Sequence, residues 1–174
     1  MKTNTQTKGF TLVELLIVIS IIALLTGIII AKISGSKQSA NYLKRLNDIN
    51  QVDLALQRYN AANYGKYPTT SGSWYSSATC VAQSATVSAT AYVPSVVPTY
   101  IASLPADADK ALDCLSGPVY MYKSNGRDYK LIVYNDVKDK AVLLQKNSSM
   151  VDPARGATTT TPSFGIWTSG AIGW

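Results

Sequence analysis

The sequence predicts an α+β fold in which one long N-terminal helix packs on a small antiparallel β-sheet. Three observations predict it. Residues Leu15 to Ala31 run without a charge. Apolar residues then recur every three or four positions as far as Tyr59, the period of an amphipathic helix. Later, two segments rich in aromatic and β-branched residues flank Ser124-Asn125-Gly126-Arg127-Asp128, a hairpin loop by composition.

The first element opens on residues 8–14, Lys-Gly-Phe-Thr-Leu-Val-Glu, and Glu14 is the single glutamate among 174 residues. An acidic residue in a membrane span costs about 2.5–3.5 kcal/mol at mid-helix and less toward an end, so it needs a function and a partner. A cleaved secretory signal requires an apolar stretch of about 7–15 residues and a small-residue cleavage site. Here the stretch is longer, and only Ser34-Gly35-Ser36 resembles such a site. A plain anchor fits the length, since residues 10–31 as helix span about 33 Å against about 30 Å of hydrocarbon. Neither reading accounts for Glu14 or for the polar segment Met1–Gly9. Lysines lie on both sides of the stretch (Lys2 and Lys8, then Lys32 and Lys37), so charge asymmetry does not choose its orientation.

The residues Gly9-Phe10-Thr11-Leu12-Val13-Glu14 ahead of an apolar run resemble the processing site of type IV prepilins and pseudopilins. The resemblance implies a leader, residues 1–9, cut on the cytoplasmic side after Gly9 by a prepilin peptidase. Phe10 becomes the new N-terminus and is N-methylated, and Glu14 is the glutamate that the family carries four residues further on. The family reading pairs the Glu14 carboxylate with the Phe10 amine of a neighbouring subunit. Leaving one partner of such a pair unmatched in a low dielectric is costly, so the pairing sets the axial register between subunits. The implied fold is the pilin fold, with residues 10–62 as the long helix and residues 10–31 as its transmembrane and filament-core part. Within one helix, Phe10 and Glu14 lie one turn apart on one face. Where many pilins carry a proline, this chain has Ala31. Gly27 and Ser34-Gly35-Ser36 are the candidate flexible points instead.

From Lys37 to Asn63 there is neither proline nor glycine. The apolar stripe is Leu43, Leu46, Ile49, Val52, Leu56 and Tyr59, with Arg45 and Asp48 placed off it. Gly65 and Pro68 stop the helix. The phrase Leu56-Gln57-Arg58-Tyr59 followed by Gly65-Lys66-Tyr67-Pro68-Thr69 also resembles the helix end of pilins and of the major pseudopilin.

Residues 63–118 form a connecting loop with short helical or strand pieces. A loop this long is functional or stapled. Cys80 and Cys114 are too few for a structural zinc site. In a chain with an export signal they favour one disulfide over two free thiols, and an oxidising compartment. Asp107, Asp109 and Asp113 lie close together, but their spacing lacks the EF-hand pattern, and no metal or other cofactor is assigned.

Residues 119–174 form the sheet and a C-terminal tail. Val119–Lys123 and Tyr129–Tyr134 are the hairpin strands, and Ala141–Gln145 is a third. The tail, with Phe164-Gly165-Ile166-Trp167 and Trp174, is too aromatic to be left exposed; it adds a last strand or seals a subunit contact. Asn147-Ser148-Ser149 fits a glycosylation acceptor.

The absence of histidine removes the commonest general base and metal ligand, and no carboxylate pair has convincing spacing, so an enzyme is not expected. The net charge of +6 is dispersed and supports only non-specific attraction for nucleic acid. The expected function is a structural subunit of a type IV pilus-like filament. It waits in the inner membrane and joins a helical homo-oligomer through an inner-membrane assembly platform, as an extracellular pilus. A type II secretion pseudopilin and a membrane-anchored surface binding protein are the alternatives.

Overall fold

The structure, a computed structural model, describes residues 9–88, 90–107, 113–136, 148–156 and 161–174; the side chains of 27–35, 37, 38 and 82 fall outside that description. The leader residues 1–8, Asp109, the strand expected at Ala141–Gln145, and Asn147 all lie outside the described residues. The chain divides into two units, Met1–Lys37 and Gln38–Trp174.

Helix α1 (Leu12–Ala62) is 51 residues long. Its backbone stays helical through Gly27 and Ser34-Gly35-Ser36, although each glycine costs about 1 kcal/mol relative to alanine. In the second unit α1 buries Tyr42, Arg45, Ile49, Val52 and Leu56, spaced by three and four. Leu43 is 52% exposed and does not belong to that stripe. It sits about 100° round the helix from Tyr42, whose ring takes the core position 5.5 Å from Phe164. The helix ends where Tyr64 and Gly65 turn left-handed, at φ 56° and 77°. The Gly65 N–H then donates to the Asn60 carbonyl at 3.0 Å, satisfying one of the carbonyls the helix end leaves open.

Five strands follow: β1 (Tyr75–Ser76), β2 (Thr86–Val87), β3 (Val119–Ser124), β4 (Tyr129–Tyr134) and β5 (Phe164–Trp167), arranged β2-β1-β3-β4-β5. The β3–β4 hairpin runs in register from Val119↔Tyr134 to Ser124↔Tyr129. Its turn is built by Asn125, whose side-chain oxygen accepts the N–H groups of Arg127 and Asp128 at 2.9 and 2.8 Å. The sheet is mixed rather than wholly antiparallel, because β1 and β2 pair in parallel through Tyr75↔Thr86 and Ser76↔Val87. Parallel neighbours need a crossover rather than a tight turn. Here the excursion between them carries Cys80 and a 3₁₀ turn at Val81–Gln83.

Side chains alternate between the two faces of the sheet. Tyr120, Tyr122, Tyr129, Leu131 and Val133 pack in one core with Ile49, Val52 and Leu56 of α1. Val119, Met121, Ile132 and Tyr134 pack with Trp74 and the cysteines in a second. Both faces of β4 are therefore buried, and the loop stapled by Cys80–Cys114 forms a third layer. The apolar runs in β3 and β4 are the sequence counterpart of a strand covered on both sides.

Arg45 and Asp48, placed by apolar counting away from the core, are buried. The Arg45 guanidinium forks onto Asp107 at 2.6 and 3.1 Å and reaches Asp136 at 3.2 Å. Asp48 accepts from Lys44 at 2.7 Å and from the Tyr120 hydroxyl at 2.5 Å. Charges are buried in proteins when they are paired, and these pairs fasten α1 to the loop and to the end of β4.

The aromatic tail is structural in the folded subunit. β5 adds antiparallel to β4. Gly165 is required there, since a Cβ would run into the Leu131 carbonyl and Ile132. Lys130, fully buried on β4, bonds Asp152 at 2.7 Å and the carbonyls of Ile172 and Trp174 at 3.0 Å each. Its ammonium also lies 5.2 Å from the Trp167 ring centre. Arg155 holds the other Asp152 oxygen at 2.9 Å and lies over Trp74.

Candidate processing and assembly site

The residues named for processing and assembly lie at the start of α1. Gly9, Phe10 and Thr11 precede the helix. Gly9 is exposed and has open space around its α-carbon, as a site of proteolysis needs. Phe10 is 86% exposed. Because the helix begins only at Leu12, Phe10 and Glu14 are not one helical turn apart in the subunit.

Glu14 instead turns back onto Thr11. Its Oε2 accepts the Thr11 N–H at 2.9 Å and the Thr11 hydroxyl at 2.8 Å, while Thr11 Oγ1 accepts the Glu14 N–H at 3.2 Å. This is a capping box, in which a threonine cap and a glutamate three residues on satisfy each other's backbone donors. The pattern Thr-x-x-Glu is legible in residues 11–14, but the cost of the carboxylate in an apolar run draws attention away from it. The exposed carboxylate thus has a local partner in the single subunit.

From Leu15 to Thr26 the helix is apolar on every side. Leu15, Leu16, Ile17, Val18, Ile19, Ile21, Ile22, Leu24 and Leu25 are all at least 47% exposed. The two hydroxyls between Leu15 and Thr26 are satisfied within the helix: Ser20 donates to the Leu16 carbonyl and Thr26 to that of Ile22, both at 2.7 Å. A helix that is hydrophobic all round and has its polar groups satisfied internally is built for burial in lipid or in a protein core. Among the described residues no helix is long and apolar enough to cross a membrane. The described apolar part, Leu12–Thr26, is shorter than the ~20 residues a span needs, and the side chains that follow it lie outside the description.

Cys80 and Cys114 form the expected disulfide, closing 34 residues of sequence with Cα atoms 5.0 Å apart. The described aspartates of the 107–113 group are engaged otherwise. Asp107 is forked by Arg45, and Asp113 accepts the N–H groups of Leu115 and Ser116 at 2.9 and 2.7 Å. Among the described residues no group of three metal-ligating side chains comes together.

Residues 4–30 match the prokaryotic N-terminal methylation motif. The chain is 36% identical over 70 residues to the type II secretion system core protein G of Escherichia coli strain K12, covering 40% of this chain and 48% of that protein. To the Aeromonas hydrophila protein of the same name it is 37% identical over 63 residues, covering 36% and 43%. For that of Vibrio cholerae the identity is 34% over 70 residues, covering 40% and 47%. The chain spans about half the length of the curated relatives it matches. No solved structure matches it. Gly9, Phe10 and Glu14 therefore lie within a match to the prokaryotic N-terminal methylation motif, and part of the chain is similar to type II secretion system core protein G.

Proposed function

We propose that this chain is the structural subunit of a type IV pilin-like filament. Prepilin peptidase cuts it after Gly9 and methylates Phe10, and it polymerises through its N-terminal helix. The observation that carries the proposal is the methylation motif at residues 4–30, joined to an apolar first part of α1 whose one carboxylate, Glu14, stands at its entrance. Cleavage makes a cation on Phe10, and Glu14 of one subunit pairs with that amine of the next. Before assembly the apolar segment, residues 10–31, rests in the cytoplasmic membrane; in the filament the same surface packs against other copies. The role is structural rather than catalytic.

Similarity to core protein G favours a type II secretion pseudopilin within this class. The aromatic tail gives no independent support for a surface pilus. Phe164 and Trp167 are in the subunit's own sheet and Trp174 lies over Lys123. The assembly role of Glu14 is tested with Glu14→Ala. The variant is expected to insert and be cleaved but to give few filaments by electron microscopy. Filament yield equal to the parent chain refutes the role.

A further inference from the structure

Where α1 ends, segment 63–69 and the β3–β4 turn enclose a cleft of about 690 Å³, within the ~300–1,000 Å³ of small-molecule sites. Tyr59, Tyr64, Tyr67, Lys66, Asn125 and Arg127 line it, and no acidic residue does. Tyr59 and Tyr67 are fixed from behind by ring contacts to Tyr100 and Tyr129 at 5.4 and 4.5 Å. Tyr64 is different. It is 99% exposed and holds a left-handed backbone, φ 56°. That conformation belongs to the helix stop, and it leaves the ring uncovered.

The free polar valences of the cleft are specific. Asn125 spends its side-chain oxygen on the Arg127 and Asp128 N–H groups, which leaves its amide N–H donors. Asn63 spends its amide on the Tyr59 carbonyl and the Tyr100 hydroxyl at 2.8 and 3.3 Å, which leaves its oxygen as acceptor. The side chains of Lys66 and Arg127 make no ion pair among the described residues.

We propose that this cleft binds an acidic sugar. A ring stacks on Tyr64, a hydroxyl donates to Asn63 and accepts from Asn125, and a carboxylate takes the planar fork of Arg127 with Lys66 beside it. Two cations suit one or two anionic groups. A nucleic-acid strand would call for cations repeated along a groove.

The test uses full-length chain in detergent and a hyaluronan tetrasaccharide, which alternates uronate with neutral sugar, followed by tyrosine fluorescence and calorimetry. Saturable binding is expected, with affinity falling about 10-fold or more for Arg127→Gln and also falling for Tyr64→Ala. Arg58→Gln, an exposed cation of α1 outside the cleft, is expected to bind as the parent does, and uncharged chitotetraose to bind at least about 10-fold more weakly. The proposal is overturned if the tetrasaccharide does not saturate. It is equally overturned if Arg127→Gln and Tyr64→Ala bind unchanged, if Arg58→Gln loses as much as Arg127→Gln, or if a thymidine tetranucleotide binds more tightly than the sugar.

Discussion

Replacing Arg45 by methionine keeps most of the apolar stem and deletes the guanidinium. In the folded chain that group forks Asp107 and reaches Asp136, with side chains no more than 6% exposed at either carboxylate. Removing one partner from a buried ionic cluster costs about 3–5 kcal/mol, because the remaining charge keeps its desolvation penalty without its counter-charge. For a unit of this size that corresponds to a fall of roughly 10–20 °C in melting temperature. Near-UV circular dichroism is the appropriate signal, since the tryptophans and tyrosines all lie beyond Lys37. The triple variant Arg45→Met, Asp107→Asn, Asp136→Asn is expected to recover part of the loss, because it removes the stranded charges as well. An Arg45→Met melt within about 0.5 kcal/mol of the parent, as at a surface site, refutes the argument. A triple variant no better than the single one assigns the cost to packing instead of charge.

Thr11→Ala removes the capping box but keeps the Glu14 carboxylate, whereas Glu14→Gln keeps an acceptor for the box and removes the charge. Near-normal filament yield from the first and poor yield from the second is expected; the reverse pattern makes the local cap the working role of Glu14. Burial raises the pKa of Tyr92, Tyr120, Tyr122 and Tyr129, with Asp48 adding to the first two and Asp53 to the last. A folded pKa above the unfolded value of about 10 gives stability that is intact below pH 10 and lost above it. Denaturant midpoints are therefore expected to fall as the pH rises above about 10, and midpoints that stay level from about pH 10 to about pH 11 contradict this. Lys130, lowered mainly by burial, acts in the opposite sense, adding stability as pH rises from its lowered value toward about 10.5. Replacing Cys80 and Cys114 by serine is expected to cost about 3–4 kcal/mol by the chain-entropy relation for a closed loop of 34 residues, read from urea midpoints. Gly165→Ala is expected to destabilise by about 1–3 kcal/mol through the forced clash with β4, and an unchanged melt contradicts the close approach.

The hairpin, the helix stop and the disulfide are all legible in the sequence because each rests on local chemistry. Asn125-Gly126 writes a turn, Gly65 and Pro68 write an end, and two cysteines have only each other. The core face of α1 is less legible. Counting apolar residues alone selects Leu43 and passes over Arg45 and Asp48, whose burial depends on Asp107, Asp136 and Tyr120, partners distant in sequence. Short strand pieces are expected in the connecting loop, but β1 and β2 cannot be located in it because two residues cannot display a period. Their pairing is set by the crossover and by the neighbouring β3. At the processing site, Gly9, Phe10 and Glu14 are marked by their spacing and by one misplaced charge. The reciprocal bonds between Thr11 and Glu14 are written in the same residues but compete with that charge for interpretation.

In the function proposed above, cleavage after Gly9 creates the amine that Glu14 meets in a filament. Intact-mass measurement of the chain recovered from purified filaments tests it most directly. The expected mass lacks Met1–Gly9 and carries about 14 Da more than the unmodified remainder, from one N-methyl group on Phe10. Filaments built from chains that retain Met1 contradict the account.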